Sequence, residues 1–220
     1  VIAVVDGAGN RHVVETRKAP RGRRVETIRE VVEGSGQVQE HVGSRTFSFP
    51  ATAFWQAHSQ APAAYTQLVT EWLGQREYQE RTAWDLYGGV GLFVPALAAA
   101  VQGKVISVDY SPAATAAEQP CLADCDVELK SAKVEQVAAQ LPKPGAVVLD
   151  PPRTGAGKDV IRSVAAAAPQ AVVHVGCDPA TFARDLHHWD EHGYGIEKMA
   201  LINAFPGTHH FETIALITPA

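Results

Sequence analysis

The chain is expected to fold as an α/β protein: a mostly parallel sheet with helices on both faces, closed by an antiparallel strand and preceded by a small β-rich segment. Three observations lead there. From about residue 60, short apolar runs alternate with alanine-rich helical stretches, the pattern of repeated strand–helix–strand units. The last two apolar runs, 195–201 and 211–218, have no helical stretch between them, so the sheet should finish antiparallel. Residues 1–50 instead carry polar extended segments punctuated by glycine, asparagine and aspartate, which reads as short strands and turns.

Taken in order, VIAVVDGAGN begins as a strand, and Asp6-Gly7 and Gly9-Asn10 mark a turn after it. Segments 23–33 and 37–49 read as extended, joined around Gly34-Ser35-Gly36 in an expected hairpin. Arg17, Lys18, Arg21, Arg23 and Arg24 form the one local concentration of positive charge. Broken by Pro20 and Gly22, that run reads as a solvated loop. These strands hold too few apolar residues to enclose a core alone. Residues 1–50 are therefore expected to be the remainder of a longer N-terminal region; a small sheet on the flank of the main body is the other reading. In 61–73, Ala64, Tyr65, Leu68, Val69 and Trp72 recur at helical spacing. Strands follow at 82–87, 105–109, 146–150 and 171–177, with helices at 93–101, 112–119, 133–141, 158–168 and 179–188. The expected organisation is a partial β-rich region over 1–50, a linker and helix over 51–75, and the α/β domain over 76–220.

Composition narrows the function classes. With 220 residues, 46% hydrophobic and 20% charged, the chain can bury the core of one large domain. No apolar window approaches the length of a membrane span, and five apolar residues before Asp6 are too few for a signal peptide. Three cysteines do not make a disulfide scaffold, and a cytoplasmic setting is expected. Lys+Arg 19 against Asp+Glu 24 gives a net charge of −5. That excludes a polybasic coat for nucleic acid but not a local patch.

In parallel sheets of this kind ligands bind beyond the carboxyl ends of the strands. The first such end runs into Asp85-Leu86-Tyr87-Gly88-Gly89-Val90-Gly91, a glycine-rich turn that lets backbone approach a ligand. The next ends in Asp109, suited to ribose hydroxyls. The turn lacks the further glycine of a dinucleotide fingerprint and no P-loop lysine follows, which favours S-adenosylmethionine (SAM) over NAD and ATP. Another end reads Asp150-Pro151-Pro152-Arg153, a stiff edge able to present polar groups to a planar substrate. SAM enzymes acting on exocyclic amines place an aromatic residue where Arg153 stands. His174-Val175-Gly176-Cys177-Asp178-Pro179 ends the strand at 171–177. Asp178 is suited to cap the following helix and Pro179 to its first turn. Cys177 thus precedes a helix N-terminus, which favours a thiolate, with Asp178 acting in the opposite sense. His209 and His210 beside Glu212 make a weak metal site, lacking a spaced third ligand. His187, His188 and His192 read as a polar helix face. Cys121, Cys125 and Cys177 are too few for an all-cysteine iron–sulfur site.

The motifs DPPRTG, VVHVGCDPAT and FPGTHHFE, in that order, closely resemble those of the RNA uracil-5 methyltransferases, the enzymes that make 5-methyluridine in tRNA and ribosomal RNA. The resemblance covers roughly residues 45–220, including Phe54-Trp55-Gln56, similar to the family's F-x-Q segment. It implies the class I SAM-methyltransferase fold, S-adenosyl-L-methionine as cofactor, an RNA substrate, and no metal in this segment; a monomer is expected. It further implies Cys177 as the nucleophile that adds to carbon 6 of uracil and Glu212 as the base that removes the carbon 5 proton. Asp150 and Arg153 would hold the uracil edge and its developing oxyanion, and Phe54 would stack on the extruded base. Gln56, Tyr87, Gly89, Gly91, Asp109 and Asp150 would form the cofactor set. Family members usually carry more sequence at the N-terminus, often a small β-barrel RNA-binding module.

This sequence departs from the family pattern at several positions. Gly88 stands where cysteine is common, Gly176-Cys177-Asp178 replaces Ser-Cys-Asn, and Asn203 and Gly207 replace an aspartate and a polar or aromatic residue. Ala132 stands where an acid often contacts the adenine, which puts one cofactor contact in doubt. Two other readings stand beside this one. A SAM enzyme of another class is disfavoured by Arg153 and by the strand that carries Cys177. A non-catalytic RNA-binding protein on the same scaffold would need neither Cys177 nor Glu212.

Overall fold

A computed structural model describes residues 1–21, 24–111, 119–208 and 211–220; within these, the side chains of Arg21 and Arg24 are not described. The helix expected at 112–119, apart from Gln119, lies outside the described residues, as do Arg23 and the His209-His210 pair.

The N-terminal segment forms two antiparallel units. Strands β1 (Ile2–Val5), β2 (Arg11–Arg21) and β3 (Arg24–Glu33) make a three-stranded sheet in that order, while β4 (Gln37–Val42) and β5 (Arg45–Pro50) pair as a separate hairpin. The hairpin expected at Gly34-Ser35-Gly36 is therefore not formed. Those residues link two units, and β3 returns along β2 with Lys18 opposite Thr27. Nor is the basic run a loop, since Arg17 and Lys18 lie inside β2. The Asp6 carboxylate joins the units, accepting the backbone N–H groups of Ala8 (3.0 Å), Asn10 (2.8 Å) and Gln39 (3.4 Å).

The hairpin does not stand apart from the main body. Val38, Phe47 and Phe49 are buried in one cluster with Tyr65, Val69 and Leu73 of α1 (Ala61–Gly74). Gln119 pairs with the Ser48 backbone in both directions, at 2.9 and 2.7 Å. Arg45 forks onto Asp124 at 2.7 and 2.8 Å.

The main sheet has seven strands in the order β11-β12-β10-β9-β6-β7-β8. The four central parallel strands are β6 (Thr82–Leu86), β7 (Lys104–Asp109), β9 (Ala146–Leu149) and β10 (Ala171–Gly176). Every residue of β9 and β10 is buried, as expected for strands covered on both faces. The helices are α2 (Val94–Val101), α3 (Val134–Val137), α4 (Gly157–Ala166) and α5 (Pro179–Glu191). The helix expected at 133–141 is one short α turn continued by a 3-10 turn. Strand β8 (Val127–Ser131) is an edge strand that the sequence reading missed, because Glu128 and Lys130 break its apolar pattern. The final pair, β11 (Tyr194–Ile202) and β12 (Glu212–Pro219), closes the sheet, with β12 inserted antiparallel between β10 and β11.

Candidate active site

Because β12 runs against β10, its first residue lies at the edge where the parallel strands end. Gly176 of β10 pairs with Thr213 of β12. Continuing that register sets Cys177 opposite Glu212, and opposed residues of an antiparallel pair share one face. A cavity of about 530 Å³ opens there, lined by Phe54, Gln56, Tyr87, Gly89, Asp109, Asp150, Arg153, Cys177 and Glu212 among others. All the candidate residues but Gly91 therefore meet in one cavity. Gly91 closes the turn instead, with φ +85° and its N–H donating to Gly88 O at 2.8 Å.

One half of the cavity is shaped by backbone. Tyr87 adopts φ +60° and Gly89 φ +53°, a left-handed region that costs a residue with a side chain about 1–3 kcal/mol and clusters at functional sites. Asp109 holds the turn in place: one carboxylate oxygen accepts the Gly89 N–H at 2.9 Å and the other the Ser111 N–H at 2.5 Å. Beneath the turn lies Asp85, fully buried, which the sequence reading had not singled out as a site residue. It accepts the Ser107 hydroxyl at 3.0 Å, and its other oxygen has no partner among the described residues. Burial pushes its carboxyl up to about 7. A Cβ on Gly88 would fall 2.3 Å from Ser107 Oγ and 2.4 Å from Asp85 Oδ2. With Asp85 and Ser107 placed as here, any side chain at position 88 would have to displace them. An acid inside an apolar strand was the signal for Asp85. Ala132 is not among the lining residues.

The other half is built of ionisable side chains. Asp150 accepts Gln56 Nε2 at 3.1 Å. Burial, then the nearby Glu212 and Asp85 charges, push its carboxyl up to about 7, against the Gln56 hydrogen bond. Glu212 is itself buried, which raises its carboxyl above the usual range, and Arg153 acts in the opposite sense. Asp178 caps α5, accepting the Thr181 N–H at 2.9 Å. The thiolate expected at Cys177 is not favoured, however. Burial and the charges of Glu212 and Asp150 push the thiol up, outweighing its backbone hydrogen bond and Arg153. The helix N-terminus thus loses to two carboxylates and a half-dry pocket.

An aromatic wall completes the cavity. Trp55 packs on Phe49 and Phe47 with ring centroids 5.0 and 5.9 Å apart. The neighbouring Phe54 lines the opening with 74% of its surface exposed. Tyr65 was read only as a core position of α1. It is fully buried, its hydroxyl has no partner among the described residues, and the Glu212, Asp150 and Cys177 charges all act on it. Elsewhere His187 and His188 face Glu191 at 3.6 and 2.9 Å. Cys121 and Cys125 are free thiols beside Asp124 and Arg45. Among the described residues no group of three His, Cys, Asp or Glu side chains is arranged to hold a metal ion, and no helix is long and apolar enough to cross a membrane.

A seven-stranded sheet with its last strand inserted antiparallel, and a cavity over a glycine turn, define the class I SAM-methyltransferase fold. Solved structures agree. The chain superposes on the Pyrococcus abyssi tRNA (uracil-54, C5)-methyltransferase in complex with S-adenosyl-L-homocysteine at TM-score 0.72 and 24% identity, covering 93% of this chain and 50% of that one. It superposes on M. jannaschii TYW2 in complex with AdoMet at TM-score 0.60 and 14% identity, covering 87% and 91%. Residues 132–219 match the family model for tRNA (uracil-5-)-methyltransferase. A Corynebacterium glutamicum protein named an uncharacterized RNA methyltransferase is 53% identical over 221 residues, 98% of this chain and 54% of its own length. A Corynebacterium efficiens protein of the same description is 52% identical, over 99% and 53%. The chain spans about half the length of the curated relatives it matches.

Proposed function

We propose that this chain carries the catalytic part of an enzyme that transfers a methyl group from SAM to carbon 5 of a uridine in tRNA or ribosomal RNA, through a covalent Cys177–uracil adduct. The observation that carries this reading is the β10–β12 register, which opposes a thiol and a buried carboxylate at the mouth of one cavity. The backbone half of that cavity fits SAM: Gly89 lines it in a left-handed conformation with no side chain to fill it, and the Asp109 carboxylate stands at the end of β7 where ribose hydroxyls would bind. Tyr87, Gly89 and Gln56 complete that contact set, and Gly91 holds the turn. SAM supplies an electrophilic methyl group.

The protein's own groups do the rest. Carbon 5 of uracil is too poor a nucleophile to take the methyl group directly. Cys177 gives up its proton to solvent as the uracil enters, and its sulfur bonds to carbon 6. The carbon 5–carbon 6 π pair is then released toward carbon 5 and the neighbouring carbonyl. Arg153, beside Cys177 and Glu212, stabilises that developing oxyanion. Asp150, held by Gln56, sets the edge of the ring, and Phe54 supplies a face for the extruded base. Once carbon 5 carries the methyl group, Glu212 removes its proton. The freed pair re-forms the double bond as the carbon–sulfur bond breaks.

The test is a trap, made in the full-length protein. Glu212→Gln should add and methylate but not eliminate, accumulating a protein–RNA band that survives a denaturing gel. Cys177→Ala should give no band. An adduct persisting in Cys177→Ala overturns the nucleophile, and full turnover by Glu212→Gln overturns the base. Mass mapping of 5-methyluridine in tRNA and ribosomal RNA, from cells with and without the gene, decides the target.

A further inference from the structure

The segment after Asp150 begins with two prolines, which have no N–H to give to a neighbouring strand. Something else must fix where Arg153 stands. Three residues on one face of α5 do so. Thr181 Oγ1 donates to the Arg153 carbonyl at 2.9 Å. Arg184 Nη2 donates to the Thr154 carbonyl at 2.7 Å. Asp185, fully buried, accepts the Ala156 N–H at 2.6 Å and the Gly157 N–H at 3.3 Å. Between these contacts Gly155 turns left-handed at φ +77°, and a Cβ there would fall 2.5 Å from both Arg184 Nη2 and Asp185 Oδ2.

The acceptor in this clamp is paired with Arg184. Arg184 Nη2 lies 2.8 Å from Asp185 Oδ1. The other nitrogen base near Asp185 is the His174 ring, 3.7 Å away. Its Nδ1 accepts the Trp189 indole N–H at 3.0 Å, and burial lowers it to about 4, so it is neutral at physiological pH. Cys177 leads into the same helix, whose cap is Asp178. Nucleophile and arginine therefore ride on one rigid element.

We propose that Arg184 is a positioning residue: by tying Thr154 to Asp185 it sets the Arg153 guanidinium against Cys177 and Glu212. This rests on the reading that Cys177 is the working thiol, yet its test needs no methyl transfer. In the full-length protein, the alkylation rate of Cys177 by iodoacetamide is measured against pH, following the Cys177 peptide by mass spectrometry so that Cys121 and Cys125 do not interfere. Arg153→Met removes a cation that favours the thiolate, so the profile should move to higher pH, slowing alkylation at neutral pH on the order of threefold. Arg184→Met should move it in the same direction, Arg184→Lys should recover part of the loss, and the double variant should do no more than Arg153→Met alone. Gly155→Ala, which crowds the clamp without touching a charge, should reproduce the Arg184→Met profile.

An unmoved profile in Arg184→Met, with Arg153→Met shifted, overturns the proposal. So does an unmoved profile in both, or a loss in Arg184→Met that follows a lowered melting temperature and is not shared by Arg184→Lys. If the trap fails while these profiles shift as stated, the adduct chemistry is wrong and the clamp stands.

Discussion

At the ends of β6 and β7 the cavity wall is backbone: Tyr87 and Gly89 in left-handed conformations, tied by Asp109. Across the cavity, at the ends of β9, β10 and β12, the wall is Asp150, Cys177 and Glu212, with Arg153 beside them. The first half can select a ligand by shape, since its geometry is held by the chain's own hydrogen bonds. The second half carries groups that can gain or lose protons, and burial raises all three of its acids. A site divided this way should let binding and chemistry be broken one at a time.

The largest effect is expected from Cys177→Ala. Turnover should fall by at least ~10⁴-fold, as for loss of a covalent nucleophile, while SAM affinity by calorimetry stays within about twofold. A parallel fall in affinity would show that the halves are not separate. Asp109→Ala strikes the other side. It removes the acceptor of the Gly89 and Ser111 N–H groups and, on the proposed reading, the ribose contact, so SAM binding should weaken by ~1–3 kcal/mol, about 5–150-fold. The Cys177 alkylation profile should not move.

Protonation sharpens the same contrast through stability. Asp85, under the backbone half, ionises near 7 when folded and near 3.8 when unfolded. The folded state holds the extra proton between those values, so this contribution is fully present below about pH 4. It is lost as pH rises through about 7. Asp85→Asn should leave the melting temperature nearly unchanged at pH 4 and raise it by a few degrees at pH 8. A gain of equal size at both pH values would remove ionisation as the cause. The smallest effect belongs to Asp124→Asn, which weakens the fork onto Arg45 at an exposed seam. A melting shift beyond about 2 °C would mean that the hairpin depends on that contact more than surface pairs usually allow.

How much could be read beforehand depended on burial. Strands β9 and β10 are apolar throughout because both faces are covered, and they stood out at once. Strand β2, RHVVETRKAPR, did not, since most of it faces water and its charges carry no alternation. Gly34 and Gly36 marked a turn, but a turn signal does not say which strands pair. The site's outline came from the strand ends read in order, together with a family resemblance. Asp85 and Arg184 escaped because what matters about them is a neighbour: Gly88 over one, Thr154 and Asp185 beside the other. The protonation of Cys177 escaped for a related reason. The helix that follows it is visible in the sequence, whereas the two carboxylates that outweigh it arrive from β9 and β12.

Strand β12 is also a matter of timing. A ribosome makes Cys177 well before Glu212, and domains assemble as they emerge. Until β12 emerges, the flank of β10 has no partner, and Ile214, Leu216 and Ile217 have not yet joined the core. A nascent chain therefore carries a thiol without its opposing carboxylate. The strand that seals the sheet brings Glu212 to Cys177 in the same movement, so the two ionisable walls of the cavity meet only once β12 is in place.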